Sequence, residues 1–191
     1  MSSLNDDFNE LLERIRRGRE LSAASFEPVY YLVFEPKQIL TVKRTTNAWM
    51  ARLRNEGWEA QTFSVAQEIV EILQNDRRRP LWLQQDRGGP EHWARANQAL
   101  TNALVQGDAL QKRLETRLAA LQGRSNPLLL VTDLEALHPY LRIGAIEGQL
   151  HGRFLVPTVF LYPGIRTGKT RLKFLGFYPD DGNYRSVHVG G

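Results

Sequence analysis

Hydrophobic residues in the N-terminal third of the chain follow two periods in turn. Residues 4–15 repeat apolar positions every three or four residues behind two acids, which predicts an amphipathic helix with a negative first turn. The run "VYYLVF" at 29–34 is β-branched and aromatic, which indicates a buried strand. A helix over 41–55, a short strand in "WEAQTF" and a helix over 64–74 follow. Such alternation is typical of α/β folds.

The middle of the chain predicts a loop and then a helical region. The stretch "NDRRRPLWLQQDRGGPEHW" has two prolines and two glycines, so we expect a loop that carries the basic cluster Arg77–Arg79. Residues 91–122 keep a helical phase in their apolar positions across Gly107, which predicts one bent helix or two. We expect these helices to be an insertion, or a peripheral hairpin, in a single domain that spans residues 1–191.

The C-terminal third returns to strands. Three strands are predicted from "LLLVTDL", "FLVPTVFLYPG" and "RLKFLGFY", with a helix from Pro139 to about His151 between the first two. A final edge strand is predicted from "NYRSVHV". Together the elements indicate a three-layer α/β fold whose mostly parallel sheet has about five or six strands and an antiparallel C-terminal edge hairpin. The P-loop NTPase fold and the Rossmann fold are both alternatives within this class.

Composition narrows the function classes. The chain has 191 residues, is 42% hydrophobic and 24% charged, and contains no cysteine. The lack of cysteine excludes disulfides, a thiol nucleophile, cysteine-ligated zinc and iron–sulfur clusters. No apolar run approaches the roughly 18 residues of a membrane helix, and the acidic N-terminus lacks a basic-then-apolar leader. We therefore expect a cytoplasmic protein without a membrane partner.

The formal net charge of +4 is carried by the C-terminal part of the chain. Residues 141–191 hold seven basic and three acidic residues, whereas residues 1–140 hold 18 of each sign. This excess favours weak, sequence-independent DNA binding or contact with an acidic partner. Four basic residues are candidate contacts to a phosphate backbone: Arg166, Lys169, Arg171 and Lys173. The other interpretation, which we favour, is the exposed face of a hairpin, where Lys and Arg deter aggregation.

The stretch "YPGIRTGKT" at 162–170 ends like a Walker A motif. That motif needs a Gly five positions before the Gly of Gly-Lys, but Pro163 stands there and Gly164 comes one place late. A phosphate loop also leads into a helix, whose N-terminus binds the phosphate, whereas "RLKFLGFY" alternates like a strand. The segment after the first strand, "KQILTVKRTTNAW", has no glycine to bring N–H groups close to a phosphate. We therefore predict a fold that lacks a working phosphate loop, with a hairpin turn here.

Asp133 is the leading candidate for a polar site. It ends a strand at the expected carboxyl edge of the sheet, where open α/β sheets bind ligands. It can hold Mg²⁺, or it can accept hydrogen bonds from nearby N–H groups as a cap, and we favour the cap. With His138 and Arg142, which are four residues apart and so share a helix face, it forms a candidate pocket.

A search for catalytic motifs finds none. The four histidines lie at no metal-ligand spacing, and there is no G-x-S-x-G nucleophile elbow. We therefore expect a protein that is not an enzyme, with no catalytic residue, no metal and no cofactor.

The stretch "VPTVFLYPGIRTGKTRLKFLGFYPDDGNYR" resembles the signature of the BrxB family, small proteins of bacterial BREX phage-defence systems. In that signature an apolar strand with a proline is followed by "YPG", a short turn, an "L-x-F-x-G" strand and "NYR". The resemblance covers about residues 128–185. It implies a component of an anti-phage system in which a methyltransferase, an ATPase and the phosphatase-like protein PglZ are separate chains.

The resemblance further implies a non-catalytic adaptor that acts by protein–protein interaction, with PglZ as the leading partner. Tyr and Arg are the residue types that anchor interfaces, and they occur at strand ends in the family signature. The predicted partner surface consists of Tyr162, Gly164, Tyr184 and Arg185. The alternative function is a nucleotide-binding enzyme that uses Asp133 and Lys169.

Overall fold

The computed structural model describes residues 3–20, 27–168, 171–182 and 186–191. The helices of these residues are α1 (Leu4–Glu20), α2 (Ile39–Asn55), α3 (Val65–Gln74), α4 (Arg79–Gly88), α5 (Trp93–Val105), α6 (Ala109–Leu121) and α7 (Ile143–Gln149). The strands are β1 (Val29–Phe34), β2 (Glu59–Ser64), β3 (Pro127–Thr132), β4 (Thr158–Thr167), β5 (Arg171–Phe174), β6 (Asp180–Gly182) and β7 (Val187–Gly190). Strands and helices alternate, so the predicted α/β class is confirmed.

Five parallel strands form the main sheet, in the order β2-β3-β4-β1-β7. β1 lies between β4 and β7, whereas in the Rossmann order the first strand lies beside the second. All six residues of β1 are buried, because helices cover both faces of the sheet. The sequence of a strand that is buried on both faces is a continuous apolar run, as "VYYLVF" is.

The two faces of the sheet carry separate hydrophobic cores. On one face, α1 and α2 pack against alternate strand residues such as Tyr30 and Leu32, and the Phe8 and Trp49 rings stack with centroids 4.4 Å apart. On the other face, α3, α5, α6 and α7 cover the intervening residues, among them Tyr31. The predicted three-layer arrangement follows from this alternation of side-chain directions.

The antiparallel hairpin is present, but it is not the edge of the main sheet. Residues 164–167 of β4 extend beyond the parallel region and pair antiparallel with β5, which pairs antiparallel with β6. The edge strand β7 runs parallel to β1, with His188 opposite Tyr31. The prediction of an antiparallel edge was therefore wrong in its position, because the chain crosses from β6 to the far side of β1.

Two other predictions from the pattern need correction, and one is confirmed. The predicted loop at 75–93 contains helix α4, since Pro80 stands in the first turn, where proline is tolerated, and the glycines fall at the end. The prediction of one bent helix or two over residues 91–122 is confirmed as two helices, which are broken at Gly107 with a φ of 68°. The helix predicted from Pro139 begins only at Ile143, after a turn in which Leu137 O accepts from Tyr140 N.

Candidate interaction surface at the carboxyl end of the sheet

The segment that follows β1 closes the position where an α/β fold would bind phosphate. The Glu35 side chain accepts a hydrogen bond from the backbone N–H of Gln38, and the Gln38 side chain accepts one from Glu35 N at 3.1 Å. The Glu35 carboxylate thus caps the 3₁₀ turn at 36–38 that leads into α2, and it also lies 2.5 Å from Lys37 Nζ. The backbone N–H groups of Glu35 and Gln38 are therefore taken by side chains and are not free to bind a phosphate.

The stretch that resembles a Walker A motif is part of a hairpin. Residues 171–174 form strand β5 rather than a helix, as predicted, and Gly168 has a φ of 73° in the turn after β4. Lys169 lies outside the described residues, so its candidate contact to a phosphate stays a prediction. Without a following helix, the turn lacks the positive dipole end that phosphate loops use.

Asp133 is held by side chains from three different segments. Its carboxylate accepts hydrogen bonds from Ser64 Oγ at 2.6 Å and Thr132 Oγ1 at 2.8 Å, and it lies 2.9 Å from Lys43 Nζ. Lys43 Nζ also lies 2.7 Å from Glu135. Asp133 adopts a left-handed φ of 60° and makes no side-chain cap bond. The favoured role as a cap is therefore wrong, because the carboxylate turns toward the end of β2 instead.

The Asp133 carboxylate is stabilised in its charged form. Burial by itself would raise its pKa, but the hydrogen bonds from Ser64, Lys43 and Thr132 outweigh burial, and the pKa of Asp133 lies below its ordinary value. The pKa of Lys43 is raised, chiefly by its bond to Glu135. The Lys43 ammonium group is therefore the cation that pairs with both Asp133 and Glu135. The arrangement serves to tie α2 to the ends of β2 and β3.

His138 and Arg142 meet around an aromatic side chain, apart from Asp133. The Arg142 guanidinium lies 3.5 Å from the centroid of the Tyr178 ring, and His138 Nδ1 forms a hydrogen bond with Tyr178 Oη. The two residues precede α7 and share no helix face, so the geometric reason for pairing them was wrong. None of the contacts described for Asp133 involves either residue, so the shared pocket stays a prediction.

Phe177 completes this group, here called the aromatic cluster: His138, Arg142, Phe174, Phe177 and Tyr178. The Phe177 ring stacks on Tyr178 at 4.6 Å and meets His138 edge-on at 5.5 Å. Its side chain is nevertheless 61% exposed. An exposed aromatic ring fixed by rigid neighbours beside an arginine is the arrangement that protein interfaces use as an anchor.

The predicted partner surface needs correction at two of its four residues. Tyr162 is 3% exposed, and burial raises the pKa of its hydroxyl. Gly164 is also buried. Neither can be reached by a partner, and both instead support the aromatic cluster, since the Tyr162 and Phe174 rings lie 5.5 Å apart. Tyr184 and Arg185 lie outside the described residues.

The basic residues of the hairpin offer a small surface to phosphate. Arg171 is exposed and Lys173 half-exposed, on the opposite side of β5 from the buried Leu172, as strand alternation requires. β6 places Asp180 opposite Lys173 in the register, which supplies a negative charge next to it. Arg166 is half-buried. A continuous basic stripe is therefore not formed by these residues.

Sequence reasoning missed several residues of this end of the sheet. Lys43 lies in an ordinary polar helix position, and Phe177 lies in a segment that reads as a strand. The one sequence signal for Phe177 was the aromatic pair Phe177-Tyr178 in "GFYPDD", at the end of a buried strand. Within the described ranges, no group of three metal-ligating side chains comes together, and no helix is long and apolar enough to cross a membrane.

Comparison with known proteins gives one match. The family model described as BREX protein BrxB matches residues 61–189, which include β3 to β6, most of β2 and β7, and the whole aromatic cluster. No curated protein and no solved structure matches the chain.

Proposed function

Since the chain belongs to the BrxB family, and so is a component of a BREX defence system, we propose that it acts there as a non-catalytic adaptor. The observation that carries the proposal is the aromatic cluster, in which an exposed Phe177 lies on Tyr178 and beside His138. Aromatic residues and arginine dominate the energetic centres of protein interfaces. The adaptor works in the cytoplasm, where the other components of such a system meet DNA.

The proposed partner is the PglZ-type phosphatase of the system. The support is the family membership together with the position of the aromatic cluster, which lies inside the matched residues 61–189. On binding, Phe177 would lose its remaining exposure, and the Arg142 guanidinium would offer its outer edge to a carbonyl or carboxylate of the partner.

Features at the carboxyl end of the sheet argue against the nucleotide-binding alternative. Glu35 caps the 3₁₀ turn after β1, and Lys43 is paired with Asp133. Direct DNA contact is proposed to be weak, because Asp180 lies opposite Lys173 across the hairpin.

Replacing Phe177 and Arg142 by alanine should weaken co-purification with the PglZ-type phosphatase. The loss of a packed anchor typically costs about 2 kcal/mol of binding, which is roughly thirtyfold in affinity. Phe177→Ala alone should keep the melting temperature close to that of the wild type, because the side chain is mostly exposed. The measurement is the amount of phosphatase retained on tagged chain, alongside a thermal melt.

Leu155→Ala is the matched control, since Leu155 is 64% exposed and lies outside the aromatic cluster. This variant should retain the phosphatase like the wild type. Full retention by a folded Phe177→Ala, Arg142→Ala variant would show that the interface lies elsewhere.

A further inference from the structure

Helices α3, α4 and α5 enclose an apolar groove on the helical side of the molecule. It has a volume of about 550 Å³ and is lined by apolar residues from all three helices: Val70, Leu73, Trp82, Leu83 and Leu100. That volume lies within the range of about 300–1,000 Å³ that is usual for ligand sites. The elements that form it do not contribute to the aromatic cluster, so this groove is a separate surface.

The groove is open to solvent because the apolar side chains of α4 are not fully covered by any other element within the described ranges. No residue of α4 is buried, and Leu83, which lines the groove, is 42% exposed. Val70 on the neighbouring α3 is 49% exposed. Adjacent exposed apolar side chains of this size usually mark a binding surface, because their burial is favourable.

The charge around the groove indicates what occupies it. Arg79 and Arg95 line the groove. Among the described residues, neither of these two arginines forms an ion pair, and the nearby Asp76 is paired with Arg78 at 2.6 Å. Asp86 is the one acidic side chain that lines the groove within the described ranges. The rim therefore carries an unbalanced positive charge next to an apolar floor.

We propose that this groove binds an amphipathic helix of a partner protein whose polar face is acidic. The apolar face of such a helix would lie on Leu83 and Leu100, and its carboxylates would reach Arg79 and Arg95. The walls α4 and α5 are 10 and 13 residues long, or about 15–20 Å, which accommodates three turns of a helix with anchors at i, i+4 and i+7.

Nucleic acid fits this surface less well than a helix does. Phosphates would gain from Arg79 and Arg95, but they would leave the exposed parts of Leu83 and Val70 in contact with water. An acidic helix satisfies both parts of the surface. The dependence of binding on an apolar residue therefore distinguishes the two ligands.

Two synthetic amphipathic peptides with the same leucine face serve as probes, one with glutamates and one with lysines on its polar face. Fluorescence anisotropy of the labelled peptides with the full chain at low salt should give at least about tenfold tighter binding of the glutamate peptide, because like charges at an interface are strongly unfavourable. Arg79→Glu combined with Arg95→Glu should reverse that preference. Leu83→Ser should weaken the glutamate peptide about tenfold.

Arg44→Glu is the control, because Arg44 is an exposed arginine on α2, in the opposite helical layer. It should leave the affinity for the glutamate peptide unchanged. Equal binding of the two peptides to the wild-type chain, or no binding of either, would overturn the proposal. So would binding of a DNA duplex that depends on Arg79 and Arg95 but not on Leu83. None of these results bears on the contact with the phosphatase.

Discussion

Replacing Gly164 by valine should destabilise the protein by about 3 kcal/mol, near the upper end of the usual cost of overpacking. A Cβ at this position would lie 2.6 Å from the carbonyl oxygen of Lys173 and 2.5 Å from a ring carbon of Tyr162. The carbonyl belongs to the backbone of β5, which pairs with β4 at this point. Since it cannot rotate away, the hairpin must separate from β4 to make room.

For a chain of this length, such a loss lowers the melting temperature by roughly 10 °C, which a thermal melt measures directly. Gly148→Ala is the matched control, because Gly148 lies in α7 and a Cβ there would meet no atom within 4 Å. That variant should be neutral or slightly stabilising, since alanine is the better helix former. Equal melting temperatures for Gly164→Val and Gly148→Ala would contradict the packing described for β4 and β5.

Acidification from pH 6.5 to about 4 should destabilise the protein through His188. The side chain is 5% exposed, and burial, with a smaller contribution from Arg166, lowers its pKa from 6.5 to about 4. Between these two values the unfolded chain binds a proton that the folded chain does not, so the free energy of unfolding falls as the pH falls. The contribution of His188 reaches about 3 kcal/mol at pH 4 and levels off about one pH unit below it.

His188→Gln isolates this effect, because glutamine does not titrate. His188 Nε2 lies 3.0 Å from Ser186 Oγ, and the ring meets Tyr31 edge-on, so a neutral polar side chain suits the site. Denaturant unfolding at several pH values should show the difference between wild type and variant shrinking by about 3 kcal/mol from pH 7 to pH 4. Parallel curves for the two proteins would show that folding does not lower the pKa of His188, and would contradict this account.

The elements that the sequence predicted well are those whose burial leaves a clear pattern of apolar residues in one short segment. β1 and β3 are covered on both faces, so their apolar runs indicated strands directly. The helix predicted over 64–74 is confirmed as α3, with Ser64 as its N-cap accepting a hydrogen bond from Gln67 N. The helix α4 was missed because Pro80 and the two glycines mark a helix start and end as well as a loop.

The site was harder to predict because its contacts join distant parts of the chain. Lys43 reaches Asp133 from α2, and Arg142 reaches Tyr178 across the whole of β4 and β5. Family motifs correctly directed attention to the segment around Tyr162, but the residue itself proved to be core. A motif residue that is specific in type can be required for packing, as Gly164 is, instead of for contact with a partner.

The central claim is that this chain is an adaptor that binds another protein and has no nucleotide chemistry of its own. Calorimetric titration of the purified chain into purified PglZ-type phosphatase tests it most directly, with Mg²⁺–ATP titrated into the chain in a separate cell. The account predicts a saturable heat with the phosphatase that is weakened about thirtyfold by Phe177→Ala with Arg142→Ala, and no heat with Mg²⁺–ATP. Saturable heat with Mg²⁺–ATP and none with the phosphatase would contradict it.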